Sequence, residues 1–419
     1  MSTPPSTTAP YPIGTPGTPW GADEKREWLA RQQLKRSYAD EVIAPLQAHL
    51  PAEAELFQYG ALDYTPLGLG TYPLFAVRSR AWNADRPVVL VTGGVNGYET
   101  RGVQGALQWL EHDFARHAGT INILVLPCIS PWGYETINRW NPHALDPNRQ
   151  FKPDSPAAGA ALAMVCVAAH GERVDVHVDL HETTDSDNSE FGPARAARDG
   201  TVFERHDIPD GFYLVGDSER PEAGFQRAII DAVRQVTHIA KPDANGLLIG
   251  ATLQQEGVVH LAKRSSGLCG GMTAAPFVTT TEAYPDSPSA SAAQCNEAQV
   301  AAVRAAIEFL RDSSQHLRTT SPERQRGGGL QSLANPSAAA RNPGAASSVA
   351  NLNGDRQCPS KKRSAKARRR SLFPRRPGRG AVQRSARATA SSPRKRRRRP
   401  SNRQPLMIDS GAPPLLRKP

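Results

Sequence analysis

Pro87-Val-Val-Leu-Val-Thr-Gly-Gly-Val-Asn-Gly-Tyr-Glu-Thr-Arg101 runs from an apolar strand through a glycine-rich turn into a helix. An uninterrupted valine-rich run over residues 87–91 is what a strand buried on both faces requires, and Gly93-Gly94 ends it. Over residues 101–117, Val103, Leu107, Leu110 and Phe114 recur at spacings of three and four, which is one face of a helix. Working outward, residues 121–126 read as the next buried strand, followed by a long polar loop over 127–151 and a helix over 157–169. Another strand runs to His181. Residues 212–215 and 276–282 read as extended, 221–238 and 289–311 as helical. Upstream, residues 22–50 read as one helix, with Asp23 and Glu24 in its first turn and Pro51 stopping it. Strands alternating with helices predict an α/β sandwich.

Charge divides the chain unevenly. From Pro322 onward there are 25 Lys and Arg against 3 acidic residues, while the remainder holds 26 against 37, so the tail is strongly basic and the body acidic. The overall pI of 9.6 therefore describes neither part and implies no basic catalytic surface. The expected organisation is a disordered arm over 1–20, one domain over 21–318 and a disordered basic tail over 319–419. The first 20 residues show no apolar core behind a basic start, which argues against a signal peptide. No stretch approaches the roughly 18 apolar residues of a membrane span. Five scattered cysteines without a C-x-x-C pair argue against a disulfide framework and fit a cytoplasmic setting.

In α/β sheets the chemistry gathers in loops beyond the strand ends. Four polar clusters follow apolar strands: residues 93–102, with Asn96 and Glu99; Asn138-Arg-Trp-Asn-Pro-His-Ala-Leu-Asp-Pro-Asn-Arg149; Asp175-Val-His-Val-Asp-Leu-His-Glu182; and Thr279-Thr-Thr-Glu-Ala-Tyr284. In the third, His177, Asp179 and His181 alternate and share one face, with Val176, Val178 and Leu180 on the other.

In this order and separation the four clusters resemble the zinc metallocarboxypeptidase family, especially its bacterial carboxypeptidases and its succinylglutamate desuccinylase and aspartoacylase branch. The resemblance spans roughly residues 87–310. It implies a three-layer α/β/α sandwich with a mixed, mostly parallel sheet, and one zinc ion held by His-x-x-Glu and a distant His. Glu99 matches the glutamate and His181 the distant histidine. Asn96 stands where the first histidine is expected, and an amide oxygen is a poorer zinc donor than imidazole. Asp179 is suited to orient a ligating imidazole. Asn148 and Arg149 match the pair that grips a substrate's terminal carboxylate. Arg139 fits the arginine that stabilises the oxyanion, and Glu282 matches the general base. Glu182 and Glu190 are rivals for that base or for shaping the pocket, and His143 is a rival ligand for the missing imidazole.

These matches imply a zinc-dependent hydrolase that cleaves the amide bond next to a free carboxylate in a peptide or N-acyl amino acid. Two other readings compete. One is a metal-poor pseudoenzyme that binds carboxylate ligands. The other gives the main role to the tail, whose runs Lys361-Lys-Arg-Ser-Ala-Lys-Ala-Arg-Arg-Arg370 and Arg394-Lys-Arg-Arg-Arg-Arg399 suit non-specific binding to nucleic acid, unless readthrough produced them.

Overall fold

Strands rich in valine, with no polar face to offer solvent, must lie inside a sheet covered on both sides. The computed structural model describes residues 11–170 and 173–319, with side chains to residue 313. Its helices and strands are, in chain order, α1 (Ala22–Ala30), α2 (Ala44–Ala48), β1 (Ala54–Asp63), β2 (Thr71–Ser79), β3 (Val88–Gly93), α3 (Thr100–His112), α4 (Phe114–His117), β4 (Asn122–Leu126), α5 (Pro131–Thr136), α6 (Ala158–His170), β5 (Val176–Glu182), α7 (Gly192–Asp199), β6 (Tyr213–Asp217), α8 (Ala223–Val233), β7 (Leu247–Leu248), β8 (Ala251–Thr252), β9 (Val258–Leu261), β10 (Phe277–Ala283) and α9 (Ala292–Thr319).

The main sheet has the order β1-β2-β4-β3-β5-β10-β6-β9. Strands β4, β3, β5 and β10 run parallel at its centre, β6 is antiparallel to β10 and parallel to β9, and β1 and β2 form an antiparallel edge. Alternation then assigns the layers. Val89, Val91, Val176, Val178 and Leu180 face a core shared with α3, α8 and α9, whereas Val88, Leu90, Leu124 and Leu126 face α6. The fold is the mixed, mostly parallel three-layer sandwich that the sequence implies.

Two expectations change at the N-terminal end. The single helix over 22–50 is broken, because the chain leaves α1 at Arg31 and returns to helix only at a π-helical turn, Ala39–Ile43, that leads into α2. Arg36 accounts for the break: its guanidinium stacks 3.4 Å above the Tyr134 ring and donates to the carbonyls of Tyr134 and Gly97 and to Thr100 Oγ1. The segment 11–20 belongs to the folded body and not to a disordered arm. Ile13 and Trp20 are buried, and Trp20 meets Trp140 edge to face beside Trp28 and Trp132. Beyond residue 319, the basic tail and its reading as a nucleic-acid binder lie outside the described residues. Among the described residues no helix is long and apolar enough to cross a membrane.

Candidate functional site

The four parallel strands β4, β3, β5 and β10 all deliver their carboxyl ends to one cavity of about 330 Å³. Its lining includes Asn96, Glu99, Arg139, Asn148, Arg149, His181 and Glu282, so the residues given first place for ligand, substrate and proton chemistry meet there. Register explains two of the positions: Glu282 pairs directly with His181 across β10 and β5. The turn after β3 is fixed by Gly97, where a Cβ would lie 2.1 Å from the Gly133 carbonyl carbon and 2.3 Å from the Tyr134 nitrogen. Backbone cannot yield there as a side chain would. We therefore expect Gly97→Ala to cost about 3 kcal/mol or more, seen as a large fall in the urea midpoint; an unchanged midpoint would remove Gly97 as the element that sets this turn.

Asn96 is 1 % exposed. Its Nδ2 donates to Asp146 Oδ1 (3.0 Å) and to the Arg139 carbonyl (3.2 Å), while its Oδ1 is buried without a hydrogen-bond partner. Glu99 Oε2 is likewise buried without a hydrogen-bond partner, although it lies 2.5 Å from Nδ1 of His181. On the far side of the ring, His181 Nε2 bonds Asp179 Oδ2 at 3.0 Å. That bond selects the tautomer with hydrogen on Nε2 and turns the Nδ1 lone pair toward Glu99. Two lone-pair atoms 2.5 Å apart need a proton or a cation between them. Burial pushes Glu99 up to about 7 against the opposing charge of His181. Burial also works against charge on His181, yet the carboxylates of Glu99 and Asp179 outweigh it and raise its pKa well above the ordinary value.

Asp179 sits in a closed network. Its Oδ1 accepts from Thr92 Oγ1 (2.6 Å), which in turn contacts His177 Nε2 (3.0 Å) and accepts from Cys269 Sγ (3.4 Å). The ligand atoms of His177, Asp179 and Cys269 come within 4.8 Å of one another, but Thr92 and His181 already occupy them. Burial drops His177 to about 4, so it is a neutral core histidine.

Arg139 is tied down by Asp146 (3.1 Å), Asp187 (3.3 Å) and Tyr98 Oη (3.2 Å). Asp146, buried, stays near 2 because Arg139 and Arg149 overcome the burial penalty. Asn148 Oδ1 accepts from the Cys269 N–H (2.8 Å), and its Nδ2 is free of protein partners among the described residues. Arg149 is exposed at the cavity rim, and among the described residues its guanidinium donates only to the Asn148 carbonyl. Glu282 accepts from Thr183 Oγ1 (3.0 Å), itself 2.7 Å from Tyr213 Oη, and is pushed up to about 8 by burial, with Glu99 adding to the shift and His181 opposing it.

The rivals have other roles or places. Glu182 accepts from the Thr100 and Arg101 N–H groups (2.9 and 2.7 Å), capping the start of α3. Glu190 is exposed and His143 lies against the Tyr64 ring; neither lines the cavity. One lining residue escaped the sequence reading: Lys263, fully buried, whose Nζ donates to Thr280 Oγ1 at 2.5 Å. Its only sequence signal is position, two residues past β9, and a single Lys in Leu261-Ala-Lys-Arg264 reads as surface.

Comparison with solved structures finds a Shewanella amazonensis protein assigned to the metallopeptidases (18 % identity, TM-score 0.49, 65 % of this chain and 92 % of that one). It also finds a metallo-carboxypeptidase from Burkholderia cenocepacia (16 %, 0.44, 71 % and 70 %) and the carboxypeptidase A of Helicoverpa armigera (13 %, 0.42, 73 % and 75 %). No curated protein matches the chain. Residues 85–203, which hold the clusters around Glu99, Arg149 and His181, match the succinylglutamate desuccinylase/aspartoacylase catalytic domain, the branch that the sequence resembles.

Proposed function

We propose that the chain is a metallocarboxypeptidase-type hydrolase that cleaves the amide bond adjacent to a free carboxylate in a peptide or N-acyl amino acid. The observation that carries the reading is Asn96 Oδ1, buried without a hydrogen-bond partner, in the cavity that also holds the close, buried contact of Glu99 Oε2 with His181 Nδ1. Buried polar atoms are rarely left unsatisfied, and an open amide oxygen in the same cavity as a buried carboxylate–imidazole pair suits a cation. The donor set of one nitrogen and two oxygens fits a zinc ion, more weakly than two imidazoles and a carboxylate would. Asn96, Glu99 and His181 would hold it, and when bound it would supply Lewis acidity to the scissile carbonyl and a more acidic attacking water.

The protein's own groups take the remaining roles. Asp179 orients His181. Arg149 and the Nδ2 of Asn148 hold the terminal carboxylate, the planar fork of arginine suiting its two oxygens. Arg139, already paired with Asp146 and Asp187, has less positive charge to offer an oxyanion than an unpaired arginine would; its contribution is held in place instead of swung in. Glu282 takes the proton from the attacking water and returns it to the leaving amine.

The test is elemental analysis of the full chain, followed by hydrolysis of N-acyl dipeptides with zinc supplied. Release of the terminal amino acid, absent when that carboxylate is converted to an amide, is expected. Arg149→Met should raise KM on the order of tenfold or more while altering kcat little. Tight binding with no turnover at full zinc occupancy would replace the enzyme reading with that of a carboxylate-binding pseudoenzyme.

A further inference from the structure

Between Asp154 and Glu172 the chain carries no Asp, Glu, Lys or Arg. That stretch builds α6, Ala158-Gly-Ala-Ala-Leu-Ala-Met-Val-Cys-Val-Ala-Ala-His170. A helix that is apolar all round belongs inside a protein or under a partner, because a face left to solvent is normally charged. One face of α6 is accounted for: Ala160, Ala163, Cys166 and Val167 pack with Val88, Leu90 and other residues of the sheet. The opposite face is not. Ala158, Val165, Ala168 and Ala169 are exposed, and Ala161 is half-buried among them. Val165, 66 % exposed, is the one exposed large apolar side chain that stands within an α-helix among the described residues.

The two ends of this face complement each other. At the leading end, exposed Pro153 and Pro156 carry the apolar strip beyond the helix as a ridge. At the trailing end a groove of about 490 Å³ opens beside α6, with Met164, Val167, Met272 and Pro276 in its wall. Charge is confined to the same two ends. Exposed Lys152 and Asp154 precede α6, while Arg173, its side chain 85 % exposed, follows it and is held by Asp175 at 2.9 Å. Each end thus presents one charge of either sign, and a copy of the face laid antiparallel across it can pair them crosswise while its ridge meets the groove.

We infer that the outer face of α6 is the interface of a two-fold symmetric dimer of this chain. Its alanines let two antiparallel helices approach to about 8 Å, the close end of the usual range. Val165 of each copy then lies near the axis against the other helix, and the exposed prolines of each copy enter the other's groove. Taking the strip out of water supplies the driving force. A second copy is the occupant because one surface supplies both ridge and groove and both signs of charge, which is the self-complementarity that a two-fold interface requires. The inference goes beyond the hydrolase reading and stands or falls without it.

Sedimentation equilibrium of the full chain tests it, in high salt so that any nucleic acid on the basic tail is released. The mass should be twice that of the 45.2 kDa chain. Val165→Lys should weaken the dimer about a hundredfold or more, because two ammonium groups then face each other across the axis. Val202→Lys, at a residue 86 % exposed outside α6, should leave it unchanged. Cross-linking locates the contact. The four cysteines among the described residues are buried, so in a Cys358→Ser background a short bis-maleimide should join Val165→Cys to its copy and leave Val202→Cys single. A monomer at every concentration would overturn the inference and leave the face to a different protein; that result needs no variant to fold. A dimer that Val165→Lys does not weaken would overturn it as well, by placing the interface elsewhere.

Discussion

Asn96→His is expected to tighten zinc binding on the order of a hundredfold. Loss of a group that merely orients a ligating imidazole already costs 10–100-fold in affinity, and a directly ligating atom should be worth at least the upper end of that range. The site is prepared for the exchange. Asn96 Nδ2 already bonds Asp146, so an imidazole can give one ring N–H to the same carboxylate and present its other nitrogen where the unpartnered Oδ1 now lies. Asp146, held near 2 by Arg139 and Arg149, is ionised at any working pH and ready to accept. Competition against a chromophoric chelator gives the two affinities. In both proteins affinity should rise with pH, because Glu99 and the facing nitrogen of His181 must be free of protons to bind zinc. If the natural chain and the variant hold zinc equally well, Asn96 does not face the ion, and the ligand set proposed above is wrong.

The sheet was legible in the sequence because its central strands are buried on both sides and so carry apolar runs that solvent-exposed strands lack. The cluster around Glu99, Arg149, His181 and Glu282 was legible for a related reason: each follows such a run, and parallel strands carry their carboxyl ends to one edge. What escaped depends on partners distant in sequence. Arg36 breaks the helix expected over 22–50 by stacking on Tyr134, a contact no local pattern announces. Glu182 stands beside His181 in the chain, yet strand alternation turns it to the opposite face, where the open N–H groups of α3 claim it. Segment 11–20 looked like an arm because proline and threonine dominate it, and the value of Trp20 appears only once Trp28, Trp132 and Trp140 converge. Lys263 is invisible without the cavity it floors.

Glu282→Gln should abolish turnover while leaving ligand binding intact. General acid–base groups contribute about 10²–10⁴-fold, and Gln keeps the acceptor oxygen that Thr183 Oγ1 addresses, so the wall of the cavity need not move. Its effect on pH dependence separates proton transfer from packing. A base works only when ionised, so activity must rise with pH through the carboxyl's own pKa. Burial places that limb near 8, far above an ordinary glutamate, and Glu99 adds to the shift. Zinc in the site adds positive charge nearby and draws the limb downward, so the loaded Asn96→His protein should reach its plateau at lower pH than the natural chain. Any residual activity of Glu282→Gln should lose this limb altogether. A variant that keeps the limb while losing rate would assign the proton to another group, and the buried carboxyl of Glu99, raised to about 7, would be the one to replace next.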